Sequence, residues 1–99
     1  MKKVNLSKSA IELLCEKYKV EELYVFGSAV TGKMTDESDI DFLVKFKNFD
    51  LNNYFLNYLE LKTALEMMTG RKVDLIEKQT LKNPFLIQSI EKSKELLYG

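Results

Sequence analysis

The chain has 99 residues, 45% of them hydrophobic, with 15 Lys and Arg balanced by 15 Asp and Glu. That length predicts one small domain spanning residues 1–99, and zero formal charge argues against a broad nucleic-acid backbone contact, which needs clustered basic excess. A single Cys excludes an internal disulfide, and the lack of His excludes a Cys/His zinc site, a histidine base and a Ser-His-Asp triad.

No apolar run approaches the roughly 20 residues of a membrane span. The basic start Met1-Lys2-Lys3-Val4-Asn5 is not followed by the apolar segment of a signal peptide. The expectation is a cytoplasmic chain with no membrane partner. Ile11, Leu14, Cys15 and Tyr18 recur at i, i+3, i+4 and i+7, which predicts a first helix from Ser7 to about Lys19. Ser9 with Glu12 fits a capping box, and Asn5 and Ser7 are equally good caps. Cys15 lies on the apolar stripe with nothing nearby to lower its pKa, so it reads as a small buried hydrophobe.

Glu22 to Phe26 is a first strand, bounded by Gly27. Gly27-Ser28 reads either as a turn with a Ser N-cap, favoured without any ligand, or as a bend whose backbone comes close to a phosphate. Gly32 closes a short helical turn, and Thr35-Asp36-Glu37-Ser38 is a loop whose acids are solvated. Asp39 to about Phe46 is the second strand, leaving through Lys45, Lys47 and Asn48. The longest helix begins at Leu51; Leu51, Tyr54, Phe55, Tyr58, Leu61, Leu65 and Met68 form its core stripe. Leu59 widens that stripe, and Gly70 is the C′ residue. Lys72 to Glu77 is the third strand. Asn83-Pro84 opens the last helix, with Leu86, Ile87, Ile90 and Leu97 on its apolar edge.

Side chains alternate faces along a strand. Ile40, Phe42 and Val44, like Val73 and Leu75, therefore face a core, while Asp39, Asp41 and Asp74 face the other way. For Ser28 to meet Asp39, strands one and two must be antiparallel. For Asp74 to join, strands two and three must be parallel, linked through the long helix as a right-handed crossover. The predicted fold class is α+β, a small mixed sheet of about three strands covered on one face by helices. Leu43 and Ile76 share the carboxylate face, where uncovered apolar groups imply a partner or tail contact. Hard cations such as Mg2+ take oxygen ligands, so Asp39 and Asp41 are candidate metal ligands.

Gly27-Ser28, ten residues, Asp39-x-Asp41, then Val73-Asp74-Leu75-Ile76 and Leu81-Lys82-Asn83-Pro84-Phe85-Leu86 together resemble the DNA polymerase beta-like nucleotidyltransferase superfamily. The small size resembles its minimal nucleotidyltransferase (MNT) branch, the antitoxins of HEPN/MNT toxin–antitoxin pairs. The resemblance covers nearly the whole chain. It implies that Gly27, Ser28 and Lys33 hold ATP, and that Asp39, Asp41 and Asp74 are catalytic and bind Mg2+ in a two-metal site. Asp74 would also accept the acceptor's proton. It further implies a HEPN-domain toxin as partner in a hetero-oligomer, with AMP transferred to a tyrosine of that toxin and no direct contact with nucleic acid.

The chain departs from the resemblance at two positions. Related proteins often carry Arg just after the Ser and again before the second Gly, where this chain has Ala29 and Thr31. Arginine makes bidentate phosphate contacts that Lys33 copies only in part. An antitoxin that neutralises its partner by binding alone is therefore the alternative expectation. Nucleotidyl transfer to a small molecule such as an antibiotic is a weaker one, because 99 residues leave no room for an acceptor domain.

Overall fold

A computed structural model describes residues 6–47 and 51–99. The basic start Met1 to Asn5, including Asn5 as a cap, and the expected strand exit at Asn48 lie outside the described residues. Ser7 caps helix α1 (Lys8–Lys17), its hydroxyl accepting from the Ala10 amide, so the Ser9 box is not the one used. Ile11 and Cys15 point fully inward and Tyr18 nearly so. Burial pushes the Cys15 thiol up to about 12, which keeps it protonated and inert. The helix stops two residues short of the expected end, and Lys19, at φ +58°, swings the chain into β1 (Val20–Phe26).

The one-turn helix α2 (Ser28–Thr31) closes at Gly32, φ +85°. Strand β2 (Ile40–Phe46) follows, then a 3-10 turn at Leu51–Asn53 and α3 (Tyr54–Thr69), which ends at Gly70 in the left-handed conformation. Strand β3 (Val73–Glu77) leads through a 3-10 turn at Lys78–Thr80 to α4 (Pro84–Ser93). Asn83 caps α4, its side-chain oxygen accepting from the Phe85 and Leu86 amides, with Pro84 in the first turn, where no amide is missed.

The sheet order is β3-β2-β1-β4. β1 runs antiparallel to β2, and β2 parallel to β3 across the α3 crossover, as the carboxylate geometry required. The fourth strand, β4 (Glu95–Tyr98), was not expected; it pairs antiparallel with β1. Leu97 therefore belongs to a strand and not to the last helix. The apolar edge of α4 stops at Ile90, because Lys94 already has extended backbone, φ −64° and ψ 140°.

Beneath α1 and α3, Ile40, Phe42, Val44, Val73 and Leu75 pack with Leu61, Leu65, Ile11 and Cys15 into the main core. Each such large side chain contributes about 1.5–3 kcal/mol by leaving water. The α3 stripe is narrower than expected. Phe55 is 69% exposed and Leu59 is also outward, so the inward seam runs through Leu61 and Leu65, with Tyr54, Tyr58 and Met68 packed against the core beside them. A second, smaller cluster of Phe26, Leu43 and Ile90 lies on the carboxylate face, with Tyr24, Ile76 and Leu81 against it. The cover expected over Leu43 and Ile76 is thus supplied within the chain, by α4. Among the described residues, no helix is long and apolar enough to cross a membrane.

Candidate active site

Three chain segments meet at one edge of the carboxylate face. The first is the exit of β1. Gly27 takes φ +74° and ψ −144°, a combination only glycine adopts without strain. A Cβ built there would stand 2.5 Å from Asp41 Oδ2, so this position excludes a side chain twice over. The Gly27 carbonyl accepts from the Val30 and Thr31 amides, both at 3.0 Å, and the Gly32 amide donates to the Ser28 carbonyl at 3.1 Å. Gly27, not Ser28, is the helix cap, with no side-chain capping bond. The turn is therefore not explained by a Ser cap. Lys33 is exposed just beyond Gly32.

The second and third segments are the starts of β2 and β3. Phe26 is the register partner of Asp41, and Asp41 in turn is the partner of Asp74. Ile40, Phe42, Val73 and Leu75 are buried while Asp39 and Asp74 are exposed and Asp41 is half-buried. The alternation argument thus holds: all three acids leave the sheet on the side away from the main core. Burial, then the charges of Asp74 and Asp39, push the Asp41 carboxyl above the usual carboxylate range. A cation between them would relieve that repulsion.

Among the described residues, no group of three or more acidic or Cys side chains closes around a common point. Mg2+ does not require one: it commonly keeps waters and takes one or two carboxylates together with substrate phosphates. The all-oxygen donor set and the raised Asp41 carboxyl fit a divalent cation whose shell is completed from outside. The site is an open shelf. Clefts of about 270 Å3 beside Tyr18 and Met67, and about 440 Å3 beside Lys8 and Tyr98, have none of the candidate residues in their walls.

Two supporting residues were not legible in the sequence. The Gly27 amide donates to the Ser93 hydroxyl at 3.1 Å, across 66 residues of chain, which ties the end of α4 to the turn. Arg71 Nη1 donates to the Thr35 carbonyl at 2.7 Å and to the Ser38 carbonyl at 3.1 Å, beside Asp39. A lone Ser at a helix end and a lone Arg before a strand carry no local signal of such long-range bonds. From the core side, the Tyr58 hydroxyl donates to the Leu75 carbonyl, and burial with the charge of Asp74 raises its pKa.

The nucleotidyltransferase domain family model matches residues 7–97. A protein of Methanocaldococcus jannaschii, provisionally named a protein adenylyltransferase, is 47% identical over 89 residues, 88% of this chain and 84% of that one. The protein adenylyltransferase MntA of Thermococcus cleftensis is 40% identical over 70 residues, 71% of this chain and 68% of that one. In a crystal structure of a toxin–antitoxin with AMP-PNP, one chain is 26% identical with a TM-score of 0.72, covering 95% of this chain and 74% of that one. A likeness of fold, at 23% identity and TM-score 0.63 over 93% of this chain and 69% of that one, extends to the complex of a tri-AMPylated Shewanella oneidensis HEPN toxin with an MNT antitoxin. This chain belongs to the nucleotidyltransferase domain family, as a minimal nucleotidyltransferase of the MntA type.

Proposed function

We propose that this chain, acting as one domain, is a Mg2+-dependent protein adenylyltransferase. It serves as an antitoxin, moving AMP from ATP to a tyrosine hydroxyl of a HEPN-domain toxin in the cytoplasm. The observation that carries the reading is the register of Asp41 with Asp74 beside the side-chain-free bend at Gly27. Support for the substrate and partner comes from relatives named protein adenylyltransferase and from the similar chain in a toxin–antitoxin with AMP-PNP.

In this reading Gly27 and Ser28 seat the triphosphate, with Lys33 reaching its outer oxygens. Asp39, Asp41 and Asp74 would hold Mg2+, which when bound neutralises charge on the entering and leaving oxygens. The tyrosine oxygen forms a bond to the α-phosphorus, the bond from that phosphorus to the β-bridging oxygen breaks, and pyrophosphate leaves. Asp74, exposed at the open side of the shelf, takes the phenolic proton. No arginine stands at positions 29 and 31 to grip the phosphates, and this favours a second reading, in which the chain silences the toxin by occupying it.

Mass spectrometry of the toxin partner after incubation with ATP and Mg2+ separates the two. The first reading expects the mass of AMP on a tyrosine, absent with Asp39→Asn/Asp41→Asn. If the double variant still protects cells expressing the toxin, occlusion is the mechanism.

A further inference from the structure

Asp39 is the acid with the least visible means of support. It precedes β2, is exposed, and follows a turn whose residues Thr35, Asp36 and Glu37 are all exposed. Apolar packing therefore does not fix it. Hydrogen bonds do. Within the turn, the Ser38 amide donates to the Thr35 carbonyl at 3.1 Å and the Thr35 amide to the Ser38 hydroxyl at 2.8 Å. The two hydroxyls lie 3.0 Å apart. This closes residues 35–38 into a ring but does not orient the ring on the protein.

Orientation comes from two consecutive residues at the entrance of β3. Arg71 Nη1 holds the carbonyls at both ends of the ring, Thr35 and Ser38. The Lys72 carbonyl accepts from the Ile40 amide at 3.0 Å. The Ser38 carbonyl belongs to the peptide before Asp39 and the Ile40 amide to the peptide after it. Both peptide planes flanking Asp39 are thus pinned, and with planar peptides that sets the direction in which its side chain leaves the backbone. The same short segment carries Asp74 three residues on, so the later carboxylate and the mooring of the earlier one move as one body.

We propose that Arg71, the chain's single arginine, is a positioning residue. It does not grip phosphate but moors the Thr35–Ser38 turn so that Asp39 is preset for a divalent cation. Preorganisation of this kind acts on cation capture more than on the chemical step, because the bound cation itself draws the acids together. The inference rests on the reading of Asp39 as a metal ligand, and the test separates the two.

The experiment uses the full chain with Arg71→Gln and Arg71→Lys, read by amide hydrogen exchange without ligand and by the Mg2+ dependence of AMP transfer. Arg71→Gln is expected to exchange its Ser38 and Ile40 amides at least about tenfold faster while the main-core amides of β2 keep their protection. The Mg2+ concentration for half-maximal transfer rises about tenfold, with kcat at saturating Mg2+ within about threefold of the parent. Arg71→Lys, which keeps a charge and donors but not the planar fork, falls between. Unchanged exchange at Ser38 and Ile40 overturns the mooring. Faster exchange with an unchanged Mg2+ dependence overturns the role toward the cation. Should the parent chain transfer no AMP at all, the proposed function fails and the exchange measurement still decides the mooring.

Discussion

Asp41 faces Asp74 in the register of β2 with β3, and burial, followed by the charges of Asp74 and Asp39, lifts the Asp41 carboxyl above the usual carboxylate range. The sign of the consequence for stability follows from that direction. A carboxyl whose pKa is higher folded than unfolded favours the fold fully below the unfolded pKa, and the contribution is lost as pH rises through the folded pKa. At neutral pH the ionised Asp41 therefore opposes the fold unless a cation is bound. Asp41→Asn is expected to raise thermal stability at pH 7 without metal, by about 0.5–1 kcal/mol, and to remove the fall in stability as pH rises from the unfolded aspartate pKa through the higher folded one. Thermal melts across pH, with and without Mg2+, check this: added Mg2+ stabilises the parent chain and not the variant.

Gly27→Ala should be costly despite adding one methyl group. The backbone at φ +74°, ψ −144° strains any Cβ, and that Cβ meets Asp41 Oδ2 at 2.5 Å. A loss of about 1–3 kcal/mol is expected from the backbone alone. Because the Asp41 carboxylate must also move, AMP transfer should be abolished even at temperatures where the variant is folded. Chemical denaturation paired with an activity assay measures both.

Ser93→Ala removes the acceptor of the Gly27 amide and leaves the helix otherwise intact. The expected loss of stability is about 1 kcal/mol, typical of one hydrogen bond. In steady-state kinetics KM for ATP should rise, since the bend loses its link to α4.

Much of this arrangement is legible in the residues. Alternation placed Asp39, Asp41 and Asp74 opposite Ile40, Phe42 and Val73, and burial of the latter set bears that out. The need for Ser28 to approach Asp39 dictated antiparallel β1 and β2, which is the observed pairing. The errors share a physical cause: they involve groups whose partners lie far along the chain. Leu97, seven positions from Ile90, fits a helical period, yet the free edge of β1 takes Glu95–Tyr98 as a strand. Phe55 fits the α3 stripe by spacing but lies outside the seam that the sheet covers. Ser93 and Arg71 act through bonds spanning 66 and 33–36 residues, for which a local pattern holds no sign.

Ala29→Arg should add a phosphate contact if the Gly27 bend seats a triphosphate as proposed. Position 29 is in α2, next to Ser28, and Ala29 is half-buried against the edge of the main core, so an arginine there has to lay its stem along that edge and bring its charged head out into water near the bend. A fall of up to about tenfold in KM for ATP is expected, equivalent to about 1.4 kcal/mol, with little change in kcat. The same variant made in Asp39→Asn/Asp41→Asn should gain no transfer activity.

The central claim, that Asp39, Asp41 and Asp74 together with the Gly27 bend bind one metal–nucleotide complex, is tested most directly by calorimetry. The titrant is an ATP analogue with a methylene bridge between the α- and β-phosphates, which resists transfer, in the presence of Mg2+. The parent chain should bind it at one site, and Asp41→Asn/Asp74→Asn should weaken it by at least about a hundredfold while remaining folded. Equal binding by the two chains would contradict the claim.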